Sequence, residues 1–140
     1  MKRENVGSGQ PWESVVGYSR AVRVGSFVHV AGTTATDVEG KIVGVGDPYR
    51  QAIQALHNIE EALSRCGVGM SDVVRTRIYV TNIDHWEAIG KAHGETFREV
   101  MPASTMVEVS RLVRPEMLVE IEAEAIVARS EPPPAQTMKG

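Results

Sequence analysis

From Val119 to Val127 the chain alternates without a break. Val119, Ile121, Ala123, Ala125 and Val127 interleave with Glu120, Glu122, Glu124 and Ile126. A period of two is the signature of a β-strand, which puts its apolar side chains on one face and its carboxylates on the other. Like charges packed side by side on a sheet repel. The acidic face is therefore expected to meet cations, a ligand or a second subunit, while the apolar face must be covered by something that excludes water.

The cover is legible upstream. Asp47 suits a helix N-cap, Pro48 the first helical position and Gly67 the C-terminal stop. Between them Ala52, Ile53, Leu56, Ile59, Leu63 and Cys66 recur at steps of three and four. Burying each of the larger apolar side chains contributes about 1.5–3 kcal/mol before entropy costs, so this helix is expected to dock on a sheet. A second helix is expected from His85 to Val100, with Asp84 as N-cap, Glu87 as capping-box acid and Trp86, Ile89, Phe97 and Val100 as its stripe. Gly90 and Gly94 weaken it and mark close packing or a ligand's approach.

Strands are expected at Ser19–Val24 and Phe27–Ala31, joined across Gly25-Ser26, at Val73–Thr81, and as a short piece around Lys41–Val43. In Val73–Thr81, Val74, Thr76, Ile78 and Val80 share one face. Arg75 and Arg77 share the other, placed to meet the glutamate row if the strands are neighbours. The order is β-β-(β)-α-β-α-β-β. Crossovers of uniform hand leave both helices on one face of the sheet, and the helix-free face then calls for a partner, which is an argument for oligomerisation. Residues 1–16 read as coil, 17–129 as one domain and 130–140, with three consecutive prolines, as a disordered tail.

Several chemistries are disfavoured. Net charge is −3, and no basic run exceeds two residues, so nucleic acid is not the expected partner. The single cysteine, Cys66, permits neither an internal disulfide nor a cysteine zinc cluster. On an apolar helical stripe it reads as an inert buried thiol. The four histidines form no metal-binding spacing, and neither a nucleophile elbow nor a phosphate-binding loop is present. No cofactor or metal is expected. No stretch approaches membrane-spanning length, and a cytoplasmic protein is expected.

The ordered combination of segments resembles the Rid family, also called YjgF/YER057c/UK114. Gly17-Tyr18-Ser19-Arg20-Ala21-Val22 and Val28-His29-Val30-Ala31-Gly32-Thr33 resemble the family's first hairpin. Gln51 to Gly67 followed by Asp72 to Thr76 resembles its first helix and next strand. Pro102-Ala103-Ser104-Thr105-Met106-Val107-Glu108-Val109 and the terminal acidic strand resemble its C-terminal signature. The resemblance implies an α+β fold of the chorismate-mutase-like type, a mixed sheet with two helices on one face, assembled as a homotrimer with a small-molecule pocket in each intersubunit cleft.

It also implies hydrolysis of an enamine, imine or related small amine, with Glu120 at the position that guides the attacking water. The alternative reading of Glu120 is an ion pair across the sheet. Tyr18, Gly32 and Thr105 match pocket positions. Trp86, His93 and Arg20 are further substrate-binding candidates, with a core role the alternative for Trp86 and a structural hydrogen bond the alternative for His93. Four positions depart from the pattern. Ser104 replaces the arginine that holds the substrate carboxylate, Ala31 a serine, Gly90 an asparagine and Met106 a cysteine. Losing one half of a buried charged pair costs roughly 2–5 kcal/mol, so a simple 2-imino acid is not the expected substrate. Arg20, Arg111 or Arg114 could supply a cation from another direction. A non-catalytic small-molecule binder is the second reading and an endoribonuclease the third.

Overall fold

The computed structural model describes residues 2–128. The expected disordered tail lies outside them. Six strands form one sheet: β1 (Arg3–Val6), β2 (Ala21–Val24), β3 (Phe27–Thr33), β4 (Val73–Val80), β5 (Ala103–Glu108) and β6 (Val119–Ile126). Their spatial order is β1-β2-β3-β6-β4-β5. Every pairing is antiparallel except β4 with β5, which is parallel. The three helices are α1 (Pro11–Val16), α2 (Pro48–Arg65) and α3 (Trp86–Phe97).

The acidic strand is central. Val119, Ile121, Ala123 and Ala125 of β6 are buried with Leu56, Ile59 and Leu63 of α2 and Ile89 and Phe97 of α3 in one apolar core. Helix α2 begins where expected, with the Asp47 carboxylate accepting from the Arg50 amide at 3.0 Å. It ends in a Schellman arrangement. The Gly67 amide donates to Ser64 and the Val68 amide to Leu63, at 2.9 and 3.0 Å. Gly67 has φ +79°, a conformation that a side chain disfavours.

Gln51, wholly buried on α2, stands in for a core residue. Its amide donates to the carbonyls of Gly44 and Glu116 and accepts from the Leu118 amide. All four of its hydrogen-bonding sites except one acceptor lone pair are thereby engaged, and the helix is tied to the connector that delivers β6.

Several expectations are corrected. The first sixteen residues are not coil: they hold β1 and α1. Strand β1 is recruited by backbone pairing to β2, so its side chains need no periodic pattern. The expected strand at 41–43 reduces to an isolated bridge between Thr36 and Ile42. A bulge between Val73 and Arg75 shifts the phase of β4. Val73 is therefore buried and Val74 is 41 % exposed, the reverse of the expected alternation there.

At the second helix, Asp84 is not the cap. The Asn82 side chain accepts from the Asp84 amide and starts a 3-10 turn at Ile83–His85 that leads into α3. His85, the α3 N-cap, makes no side-chain capping bond, so the expected capping box with Glu87 is absent. Ile53 is 37 % and Trp86 57 % exposed. Neither belongs to the core. A Cβ built on Gly90 or Gly94 would meet nothing within 4 Å, so nothing in the chain crowds those glycines.

Candidate functional site

Because β6 alternates strictly, its glutamates all project from the face opposite α2 and α3, and the neighbouring strands supply the groups opposite them. Arg75, Arg77 and Tyr79 of β4 stand in register with Glu124, Glu122 and Glu120. His29 of β3 faces Glu124 from the other side. Arg77 Nη1 lies 3.3 Å from Glu124 Oε2 and 3.9 Å from Glu122 Oε1. His29 Nδ1 is 3.4 Å from Glu124 Oε2. The Tyr79 hydroxyl donates to Glu122 Oε1 at 3.1 Å. The expected pairing of the acidic row with the arginines of Val73–Thr81 is therefore present for Glu122 and Glu124, through Arg77. Arg75 instead donates through Nη2 to Thr105 Oγ1 at 3.0 Å.

Glu120 differs from its two neighbours. Among the described residues it has no ion pair and no side-chain hydrogen bond. Its place is set by β3. The register between β3 and β6 shifts between Val30 and Thr33, so Ala31 and Gly32 bulge together opposite Glu122. The Glu120 side chain lies over Gly32. A Cβ added to Gly32 would come within 1.9 Å of Glu120 Oε2 and 2.9 Å of its Cδ. Glycine is needed here for space and not for an unusual backbone, because Gly32 is not among the positive-φ residues.

Arg20 closes the other side. Its Nη2 donates to the Gly32 carbonyl at 2.5 Å, and its guanidinium carbon lies 5.8 Å from the centre of the Tyr18 ring. Its Nε is buried without a partner. Burial lowers the Arg20 pKa, opposed by Tyr18, Glu13 and Glu120. Burial also pushes the Glu120 carboxyl above the ordinary carboxylate range. The Arg20 charge opposes that rise and Glu122 adds to it. A half-buried carboxyl held above its usual pKa, with no partner of its own among the described residues, is suited to proton transfer. Tyr18, Glu13, Ser19, His29 and Ala31 line an open cleft of about 540 Å³, whose lining does not include Glu120, Gly32 or Arg20 themselves.

The remaining sequence candidates lie elsewhere. Ser104 pairs with Thr76 on the parallel neighbour, and both hydroxyls point to the helix side. Thr76 is wholly buried. Its Oγ1 donates to Ser104 Oγ at 2.8 Å and lies 2.8 Å from His93 Nε2. With its one proton directed at Ser104, Thr76 accepts from the imidazole. His93 also packs at 4.7 Å on the Phe97 ring, and burial lowers its pKa, so it is neutral at physiological pH.

The chain thus divides the predicted residues. Glu120, Gly32, Arg20 and Tyr18 come together. Ser104 and His93 form a second group across the sheet, Thr105 lies with Arg75, and Trp86 is on the surface. Thr76, Tyr79 and Glu13 were not singled out from the sequence. The one available signal was Thr76, a polar residue in the otherwise apolar inward phase of β4. No group of three or more His, Cys, Asp or Glu side chains among the described residues is placed to hold a metal ion. No described helix is long and apolar enough to cross a membrane.

A mixed sheet backed by two helices, with a lone carboxylate laid over a glycine on its open face, defines a class of small α+β proteins. Residues 9–127 match the family model described as Endoribonuclease L-PSP. A Mycobacterium tuberculosis member of the YjgF/YER057c/UK114 family superimposes with a TM-score of 0.82 at 48 % identity, covering 90 % of this chain and 100 % of that one. An uncharacterized Streptomyces coelicolor protein is 40 % identical over 86 % of this chain and 89 % of its own length. A Dermatophagoides farinae protein named 2-iminobutanoate/2-iminopropanoate deaminase is 32 % identical over 79 % of this chain and 85 % of its own. This chain belongs to the YjgF/YER057c/UK114, or Rid, family.

Proposed function

We propose that the protein hydrolyses the C=N bond of a small imine, or of the imine tautomer that an enamine becomes when its β-carbon gains a proton and its nitrogen loses one, with Glu120 as the proton-transfer group, in a cleft completed by a neighbouring subunit of a homotrimer. The observation that carries this reading is the isolation of Glu120. Two of the three row glutamates are engaged by Arg77, His29 or Tyr79, while the third is half-buried, unpaired and raised in pKa. A carboxylate present only to bind an arginine would be in contact with one.

The reaction is balanced without a cofactor. Water oxygen bonds to the imine carbon, its proton passes to Glu120, and the C=N π pair moves to nitrogen, which takes that proton. In the second half the new hydroxyl gives its proton to Glu120, the C–N bond breaks and the departing nitrogen receives it. Imine and water become a carbonyl compound and an amine or ammonia. Ser104, hydrogen-bonded to Thr76, offers no cation for a substrate carboxylate. The same fact favours the second reading, a small-molecule binder without turnover. RNA cleavage, which the family model's description names, is less favoured, because the open face carries a row of carboxylates that repel phosphate.

Glu120→Gln tests the proposal on a panel of enamines and imines lacking a carboxylate. Turnover is expected to fall by about 10²–10⁴-fold, the usual worth of a positioned acid–base group. Trimer mass by light scattering and the melting temperature are expected to hold. Unchanged turnover, or a monomer in solution, would remove this mechanism.

A further inference from the structure

Arg20 is fixed more firmly than a ligand-gathering surface arginine would be. Its amide donates to the Val6 carbonyl of β1 at 2.8 Å, and its carbonyl accepts from the Ala31 amide of β3 at 3.0 Å. Its guanidinium returns to the same strand to grip the Gly32 carbonyl. Strand β1 therefore fixes Arg20, Arg20 fixes the bulge at Gly32, and Gly32 is the surface over which the Glu120 carboxylate lies. No ion pair joins Arg20 and Glu120 among the described residues. The cation is beside the carboxylate and held off it.

We propose that Arg20 is a positioning residue for Glu120, holding the Gly32 backbone beneath that carboxylate and supplying a positive charge beside it. The inference rests on the proposed role of Glu120 in proton transfer. It differs from the sequence expectation for Arg20, which was direct substrate binding. A planar guanidinium suits the task because several donors in one plane can hold a carbonyl while the charge stays delocalised. Contact with Glu120 would neutralise the carboxylate in a stable pair, whereas a charge at one remove moderates its protonation and leaves it able to accept a proton. The other groups facing Glu120 are Glu122 on its own strand, Tyr79 on β4 and, beyond Arg20, Glu13 on α1. His29 on β3 is engaged with Glu124. Arg77 on β4 is engaged with Glu122 and Glu124, which leaves Arg20 as the cation beside Glu120 that has no carboxylate ion pair among the described residues.

The test reads Glu120 directly, by carbon-13 NMR titration of its side-chain carboxyl in the full chain, for wild type, Arg20→Met, Arg20→Gln and Arg20→Lys. Loss of the positive charge is expected to move the Glu120 midpoint upward in the Met and Gln variants. The Lys variant, which keeps the charge, is expected to stay near wild type. The acid limb of the pH–rate profile should move in the same direction. Turnover at its plateau should fall by roughly tenfold to a hundredfold, as a misplaced proton-transfer group does. An unmoved midpoint in folded Arg20→Met or Arg20→Gln overturns the proposal. So does loss of the folded state in both, which would make Arg20 a fold support. A moved midpoint in a protein that turns over no imine leaves the Arg20 assignment standing and overturns the hydrolase reading alone.

Discussion

Gly32→Ala separates stability from activity at one atom. The added Cβ would lie 1.9 Å from Glu120 Oε2, 2.9 Å from its Cδ and 3.2 Å from its Cγ, so the carboxylate must leave its place. Overpacking in a dense core costs about 1–3 kcal/mol. Here the obstructing atoms end a half-buried, unpaired side chain that can swing aside, so the low end applies, about 1 kcal/mol. Against it stands a gain of about 0.4–1 kcal/mol from removing a glycine whose backbone alanine can adopt. The two nearly cancel, and the melting temperature should move by less than roughly 4 °C. Activity has no such compensation. A proton-transfer group displaced by an ångström or more loses about a hundredfold, equivalent to about 2.7 kcal/mol at the transition state. Calorimetry and imine turnover on one preparation check both halves. Wild-type turnover, or a fall of more than about 10 °C in melting temperature, would refute the argument that Gly32 exists to make room for Glu120.

Two further outcomes are expected. Wild type should show little turnover of 2-iminobutanoate, and Ser104→Arg should gain weak carboxylate affinity without full activity, since Ala31 and Gly90 also differ from the family pattern; efficient wild-type turnover in a steady-state assay would show that another cation serves. His93 is held neutral by burial, so its folded pKa lies below its unfolded value of about 6.5. The unfolded chain then binds the extra proton first, and stability should fall as pH drops below that value. Denaturation of His93→Gln should lack this part of the pH dependence, and an identical profile in both proteins would count against a buried neutral imidazole.

The acidic strand and its helical cover were legible because both rest on periodicity. The β6 alternation and the α2 stripe between Asp47 and Gly67 are read from neighbouring residues, and the structure keeps both. What was missed depends on partners distant in the chain. Strand β1 forms because β2 offers a free backbone edge, which no side-chain pattern announces. The bulge at Val73-Val74 inverts a phase that the residues alone leave undetermined, and Asn82 outcompetes Asp84 by starting a 3-10 turn earlier.

At the site, Glu120 stood out as one of three similar carboxylates. Its difference from Glu122 and Glu124 arises from Arg77, Tyr79 and His29 reaching the other two, and from the bulge that puts Gly32 beneath it. Neither follows from local sequence. The engagement of Ser104 with Thr76 and His93 required the parallel pairing of β4 and β5.

The spatial order of the strands has a consequence for how the protein is made. The strand at the centre, β6, follows the other five strands of the sheet among the described residues. Until it is made, nothing bridges β3 and β4, and the β1–β2–β3 meander and the β4–α3–β5 unit are halves with exposed edges. Pairing distant segments is slow because loop closure precedes any reward, and unpaired edges are where chains associate wrongly. Completion of the sheet is therefore expected to wait for the acidic strand. The same glutamates that furnish the open face also place charge on the last strand to arrive, which keeps its segment soluble while it searches for the gap between β3 and β4.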